Sequence, residues 1–414
     1  MKTLTLSLRN GLRRLFPAVC GVLIPLTLTG GDWRQFRGTD ISGVSTEAPV
    51  PSKWNVKDGE NVAWVAELPG RGLSSPIIVG DKVLLTASSG YRQDRLQTLC
   101  FDRKTGAKLW ERTVWATGRT MCHEKMCVAT PTPASDGQRV FSFYSSNDVV
   151  CLDLDGNLLW TRGLTSDFPN ASNSLGMSSS PVVVDETLVV QVENDADSFA
   201  TGLDVKTGRS RWKKTRPKRA NWTSPVILTE ESGRTLALLQ SSAGMEAVDP
   251  MTGETAWEFT NGASTIPSSV VSGQSVFVPS NGLTVLKSGS EKKPEVLWSD
   301  NRLAPGTASP IIVSNKVFIL NRAGVVNCAD ALTGSALWKL RLTGPHSATP
   351  IGAGSLLVFI NEDGKAQVVD TAKPEGEIVG ESDFGETILA TPSVADGELF
   401  VRSDGHLWKI AAKK

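Results

Sequence analysis

Seven tryptophans, Trp64, Trp110, Trp160, Trp212, Trp257, Trp298 and Trp338, recur at near-regular intervals along the chain, and four of them close the same phrase, Asp-x-x-Thr-Gly-x-x-x-Trp. The phrase runs from Asp102 to Trp110, Asp204 to Trp212, Asp249 to Trp257 and Asp330 to Trp338, with a version one residue shorter from Asp153 to Trp160. A second beat accompanies it, Ser/Thr-Pro (once Ser-Ser) followed seven residues later by an apolar pair. Its anchors are Pro76, Pro133, Pro181, Pro225, Ser269, Pro310, Pro350 and Pro392. Self-similarity at a period of about 40 to 50 residues marks a repeat architecture in which no unit can bury its apolar face alone. Length by itself would suggest roughly two to four domains of about 100 to 200 residues. Eight beats spread evenly to the C-terminus argue instead for one closed ring.

Within one unit, Ser309 to Val313, Lys316 to Leu320, Val325 to Ala329 and Ser335 to Trp338 read as four short β-type runs separated by turn residues, a four-stranded antiparallel sheet. In the Asp-x-x-Thr-Gly phrase, Asp caps the hairpin with its side chain, Gly supplies the positive φ that other residues resist, and Trp opens the fourth strand. Such sheets repeated at this period predict an all-β, eight-bladed β-propeller. The last repeat offers three strands only, around 391–395, 398–402 and 406–410. The missing fourth is expected from Asn61 to Ala66, so that an N-terminal strand carrying Trp64 closes the last blade. Residues 61–414 are therefore read as the propeller and 32–60 as an N-terminal extension.

Residues 1–31 read as a signal peptide: Lys2, Arg9, Arg13 and Arg14 with no acid, an apolar stretch from Leu15 to Leu28, then the small pair Gly30-Gly31. The stretch is short and Pro-interrupted for a membrane span. Lipid attachment at Cys20 is the alternative use of this segment. Either reading places the mature chain in the periplasm or outside the cell, with no transmembrane segment after signal removal, and a monomer is expected. The rest of the chain carries four more acidic than basic residues, which gives no reason to expect nucleic acid or an anionic membrane as partner.

These features resemble the quinoprotein-type, PQQ-like β-propeller repeat proteins, whose tryptophan-docking motif has the form quoted above. The resemblance implies that the seven tryptophans dock adjacent blades. It also admits three roles, since the family contains dehydrogenases using pyrroloquinoline quinone (PQQ), outer-membrane barrel-assembly scaffolds and members of unknown role. The opening Asp32-Trp33-Arg34-Gln35-Phe36-Arg37-Gly38 resembles the mature start of secreted members of that last group. Two departures stand out. Gly380 occupies the place of an eighth Trp, and the repeat ending at Trp298 lacks Asp-x-x-Thr-Gly.

Function is expected where one class of loop is enlarged. From signature Trp to the next anchor the distance is 12 residues after Trp64, Trp257, Trp298 and Trp338, and 13 after Trp212, but 23 after Trp110 and 21 after Trp160. Insertions confined to one loop class lie on one face, commonly the binding face. The first enlarged loop carries Cys122, His123, Glu124, Lys125 and Cys127. There the two cysteines form a disulfide, remain thiols, or join His123 in holding a metal; the spacing argues weakly for metal, and none is assigned. The second loop, with Asn170, Asn173 and Ser174, offers neutral amides and hydroxyls suited to sugar or peptide. On the same face, blade 3 presents Glu193, Asn194 and Asp195, and the next connection Arg219, Asn221 and Trp222.

These residues form the candidate binding set for a protein partner, a glycan or another small molecule. A quinoprotein oxidoreductase would need a stacking aromatic, Ca²⁺ and a carboxylate base, for which Trp222, Glu193 and Asp195 are candidates. No adjacent Cys-Cys pair and no Cys-x-x-Cys-His is present. No nucleophile, base and oxyanion set can be assembled from the sequence. The preferred reading is a non-enzymatic binding or scaffold propeller, using neither PQQ nor Ca²⁺.

Overall fold

A computed structural model describes residues 31–171, 174–289 and 292–412. The amino-terminal stretch with Cys20 lies outside the described residues, as does Asn173. Each repeat folds into four antiparallel strands ordered from the centre outward, in blade 1 Ile77–Val79, Lys82–Ser89, Arg95–Asp102 and Lys108–Trp115. Blades 2 to 7 span 134–163, 182–215, 226–259, 270–300, 311–341 and 351–383. Blade 8 takes its three inner strands from 393–410 and its outer strand from Val62–Glu67, with Val65 opposite Trp408 and Ala66 opposite Leu407. The ring is thus closed by its own N-terminal strand, as the strand count required. The only helical elements among the described residues are two single 3₁₀ turns, Tyr91–Gln93 and Leu164–Ser166, so no helix there is long and apolar enough to cross a membrane.

The signature phrase acts between blades. Asp102 Oδ1 accepts from the backbone N–H and the hydroxyl of Thr105, both at 2.7 Å, and Gly106 follows at φ 74°. In all eight blades the ladder between the third and outer strands slips by one residue at the signature position. Such a bulge re-aims the side chain beside it. The indole is thereby turned onto the glycine-bearing turn of the next blade. Trp64 lies on Gly106, Trp110 on Gly156, Trp160 on Gly208 and Trp212 on Gly253. Their Nε1–H groups donate to the carbonyls of Arg103, Leu154, Val205 and Pro250 at 2.8–3.0 Å.

Both departures from the repeat have a local cause. Blade 5 lacks the phrase, and Trp257 of blade 4 donates instead to the Ser288 hydroxyl at 3.0 Å. Blade 8 has no hairpin between its third and outer strands, because the outer strand comes from the other end of the chain, so a Trp at 380 would find no turn to dock on. The extension fills the space: a Cβ at position 380 would meet the Ser52 carbonyl oxygen at 1.8 Å. Trp54 is buried there, 5.6 Å from the Phe384 ring.

Apolar clusters lie between successive blades rather than within them, as expected when each unit depends on its neighbours. The extension then runs around the lower end of the central channel and touches every blade. Trp33 pairs with Ile78 of blade 1, Ser135 of blade 2 donates to Arg34 O, and Val183 of blade 3 donates to Gln35 Oε1. Ile41 joins the apolar cluster shared by blades 3 to 5, and Arg37 donates to Ser269 O of blade 5 and Pro310 O of blade 6. Val44–Ser45 adds a parallel strand to blade 7, and Glu47 accepts from Asp396 N of blade 8. This plug lies on the face opposite the enlarged loops, beside the hairpins between first and second strands, where Gly80 N of blade 1 donates to Asp32 and Asp396 N of blade 8 to Glu47.

Candidate functional site

Plugging one end turns the channel into a cup of about 390 Å³, floored by Phe36 and open among the enlarged loops. Its lining is built in two tiers by the second sequence beat. The residue just before each anchor gives the lower tier: Ser75, Thr132, Ser180, Ser224, Ser268, Ser309, Thr349 and Thr391. Each backbone N–H donates to the next hydroxyl around the ring, seven times at 2.9–3.1 Å. The eighth link is open, and the buried Ser75 Oγ has no partner among the described residues. Each accepting hydroxyl uses one lone pair in this ring and retains a proton and a second lone pair.

The residue two positions earlier in each connection gives the upper tier. Leu73 and Leu389 come from the blade 1 and blade 8 connections, and Trp222 and Ile266 from those of blades 4 and 5. In an eight-membered ring these pairs face one another. Thr130 and Ser178 of blades 2 and 3 likewise face Thr307 and Ser347 of blades 6 and 7. The mouth therefore has two apolar walls and, at right angles, two hydroxyl walls.

The first enlarged loop arches over this mouth. Lys125 Nζ reaches Glu362 Oε2 in blade 7 at 2.8 Å, and Ser347 donates to Glu362 Oε1 at 2.7 Å. Partial burial would raise the Glu362 carboxyl, but the Lys125 ammonium and the Ser347 hydroxyl outweigh it and hold the group below the usual glutamate range. The loop is also anchored by His123 N to Leu175 O at 3.0 Å and by Arg71 to Glu124 O at 3.1 Å.

Of the residues singled out by sequence, the structure brings His123, Lys125 and Trp222 together in the cup lining. Trp222 is fixed there by Nε1–H donation to Gly176 O at 3.0 Å. The others have different surroundings. Glu124 and Ser174 are exposed outside the lining, and exposed Asn170 donates its N–H to Asp197. Asp195 is exposed at its hairpin tip, Asn194 is buried and caps that hairpin through Asp197 O and Ala196 N, and Arg219 projects into solvent. Glu193 is buried against Arg216, Nε to Oε1 2.8 Å, and burial pushes its carboxyl up. Asn221, also buried, donates to Gln240 O at 2.8 Å.

Cys122 and Cys127 carry free thiols. The first is half-buried beside Met126 O, the second fully buried beside Thr130, and burial pushes both thiols up. The lower ring, the upper-tier partners of Trp222 and the carboxylate Glu362 were missed by sequence reasoning. The Ser/Thr-Pro beat did carry the lower ring, since the residue before each anchor is the one that faces the channel.

A PQQ site was tested against this lining. PQQ is a planar quinone bearing three carboxylates, and the lining offers one ammonium, already neutralised by Glu362. Among the described residues no group of three or more His, Cys, Asp or Glu could hold a metal ion. The cup does not fit PQQ with Ca²⁺.

Eight four-stranded blades, six of whose junctions carry a tryptophan docked on a glycine turn of the next blade, define a PQQ-like repeat propeller. The chain belongs to the family whose model is described as outer membrane protein assembly factor BamB, matched over residues 97–292, 246–374 and 322–414. Among solved structures, BamB from Moraxella catarrhalis is similar at 16% identity and TM-score 0.61, covering 85% of this chain and 98% of that one. A europium-containing methanol dehydrogenase is similar at 12% identity and TM-score 0.70, covering 92% and 98%. The quinohemoprotein alcohol dehydrogenase from Comamonas testosteroni is similar at 13% identity and TM-score 0.68, covering 93% and 81%. At these identities the likeness is one of fold. No curated protein matches the sequence.

Proposed function

We propose that this chain is an exported, non-enzymatic binding propeller whose occupant enters the cup on the enlarged-loop face. The observation that carries the reading is the floor: Phe36 of the protein's own extension lines one end of the channel, and the rest of the lining comes from the connections, enlarged loops and a hairpin of the opposite face, which makes a concave site. Its volume falls in the lower part of the roughly 300–1,000 Å³ range of small-molecule sites. Export rests on the basic, apolar and small-residue order of residues 1–31.

A fluorine-NMR screen of small neutral fragments against the full chain tests this. Hits should bind the wild type and be lost in Thr307→Trp, which fills the cup from a wall residue. Hits indifferent to that substitution, or dye reduction on adding PQQ, Ca²⁺ and an alcohol, would overturn the reading. Family membership and the BamB likeness favour a second role, a scaffold that docks protein on the same face. Photo-crosslinkers at exposed Leu175 and Ile266 in envelope preparations should then capture protein, and one at exposed Leu332 on the opposite face should not.

A further inference from the structure

We propose that the cup selects a neutral, flat, hydroxyl-bearing ring, specifically a pyranose with equatorial hydroxyls. The inference rests on the binding reading above and adds the chemistry of the occupant. Three observations carry it. The first is the quadrant pattern: Leu73 and Leu389 face Trp222 and Ile266 across the mouth, so an entering ring meets apolar surface on both faces and hydroxyls along both edges. A pyranose with equatorial hydroxyls has that distribution, C–H groups above and below and O–H groups around the rim.

The second observation is the polarity of the hydroxyls. In the upper tier, Thr130 donates to Cys127 O, Ser178 to Trp222 O and Ser347 to Glu362, at 2.7, 3.1 and 2.7 Å. With their protons spent, these side chains offer lone pairs to a ligand. Lower-tier hydroxyls accept from the ring N–H groups and keep their protons for a ligand. An occupant that donates at the mouth and accepts at the floor satisfies both tiers, which a sugar hydroxyl does and a carbonyl or ether oxygen, an acceptor only, does not. Unmade hydrogen bonds in a desolvated site count heavily against the wrong ligand.

The third observation is neutrality. The lining's one ammonium, Lys125, and its one carboxylate, Glu362, are bound to one another. Neither a uronate nor a phosphosugar finds a free counter-charge, so the unmodified pyranose is preferred.

The test is saturation-transfer NMR on the full chain with methyl β-glucopyranoside, cellobiose, methyl β-galactopyranoside, sorbitol and menadione. Both glucosides should show transfer strongest at their axial ring protons, galactoside with its axial 4-hydroxyl should bind more weakly, and sorbitol should show none. Trp222→Ala should weaken cellobiose at least tenfold and Trp222→Phe should restore most of it, with the melting temperature of both checked against wild type. If menadione or other fragments bind at Trp222 while the pyranosides do not, the sugar assignment fails and the cup stands. If sorbitol matches the glucosides, or Trp222→Ala leaves cellobiose unchanged, the slot argument fails. If none of the five binds while the fragment screen still gives hits lost in Thr307→Trp, the sugar assignment alone fails; if that screen is also empty, the binding reading falls with it.

Discussion

Lys125 and Glu362 pair at 2.8 Å across the mouth of the channel, joining the connection after blade 1 to a hairpin of blade 7. Their link is the latch of the first enlarged loop. The Glu362 carboxyl lies below its ordinary range, so the latch is fully present above that range and is lost as pH falls through the folded value. Lys125 is raised first by its bond to Glu362, so at high pH the latch persists beyond the ordinary lysine value and opens above it. Lys125 is more than half exposed, and such pairs are worth about 0.2–1 kcal/mol. Lys125→Ala, or acidification below the glutamate range, should reduce hydrogen-exchange protection of the 120–131 peptide by up to about fivefold after correction for intrinsic rates. Unaltered protection would show that the loop is held by its His123 and Arg71 anchors alone.

Gly106→Ala should destabilise the ring far more than Gly385→Ala. Both glycines have φ above 70°, so both substitutions bear the left-handed penalty of about 1–2 kcal/mol. A Cβ at 385 meets nothing within 4 Å, whereas at 106 it meets the Trp64 indole at 2.6 Å. Overpacking adds about 1–3 kcal/mol. Urea unfolding of the two variants reads the difference, and equal midpoints would remove the indole from the account of closure.

The fold was legible because its determinants are local and repeated. Trp64 with no strands before it, and Ile410 with no strand after it, announced the closure. The site was only partly legible. Lys125 stood in a loop flagged by length and Trp222 in a connection of nearly ordinary length on the same face, yet Glu362, in a blade 7 hairpin, and Ile266, in an ordinary connection, carry no length signal and are brought near by the ring rather than by sequence. Glu193 and Asn221 misled for the opposite reason: polar residues near loops look available, and burial alone shows they are already bound. Gly380 read as a lapse in the repeat until the strand exchange at blade 8 explained it.

Restoring the repeat at Gly380 should therefore harm the protein. Gly380→Trp would drive the indole against the Ser52 carbonyl and displace the segment that buries Trp54. Limited proteolysis should cut between residues 46 and 60 in this variant and spare the wild type. Trp54→Ala, which empties the same space, should cost about 3–5 kcal/mol. A Gly380→Trp chain as resistant as wild type would mean that the extension can move aside, and the strap would lose its role as the substitute for the eighth docking tryptophan.

Glu193 and Asp195, two residues apart, separate structure from surface. Glu193 is buried, accepts from Gln191 Nε2 at 2.9 Å and pairs with Arg216, which also binds Glu246 and donates to Leu239 O. Removing one partner of a buried pair leaves the other charge under-compensated, at a cost of about 3–5 kcal/mol. Glu193→Ala should lower stability by that order, and Glu193→Gln by less, since the amide oxygen can still accept from Gln191 and Arg216. Asp195, exposed at the hairpin tip, should tolerate Ala within about 0.5 kcal/mol. Chemical denaturation of the three variants tests this. Should Glu193→Ala fold with wild-type stability yet lose a cup ligand, Glu193 would return to the binding set from which its burial removes it.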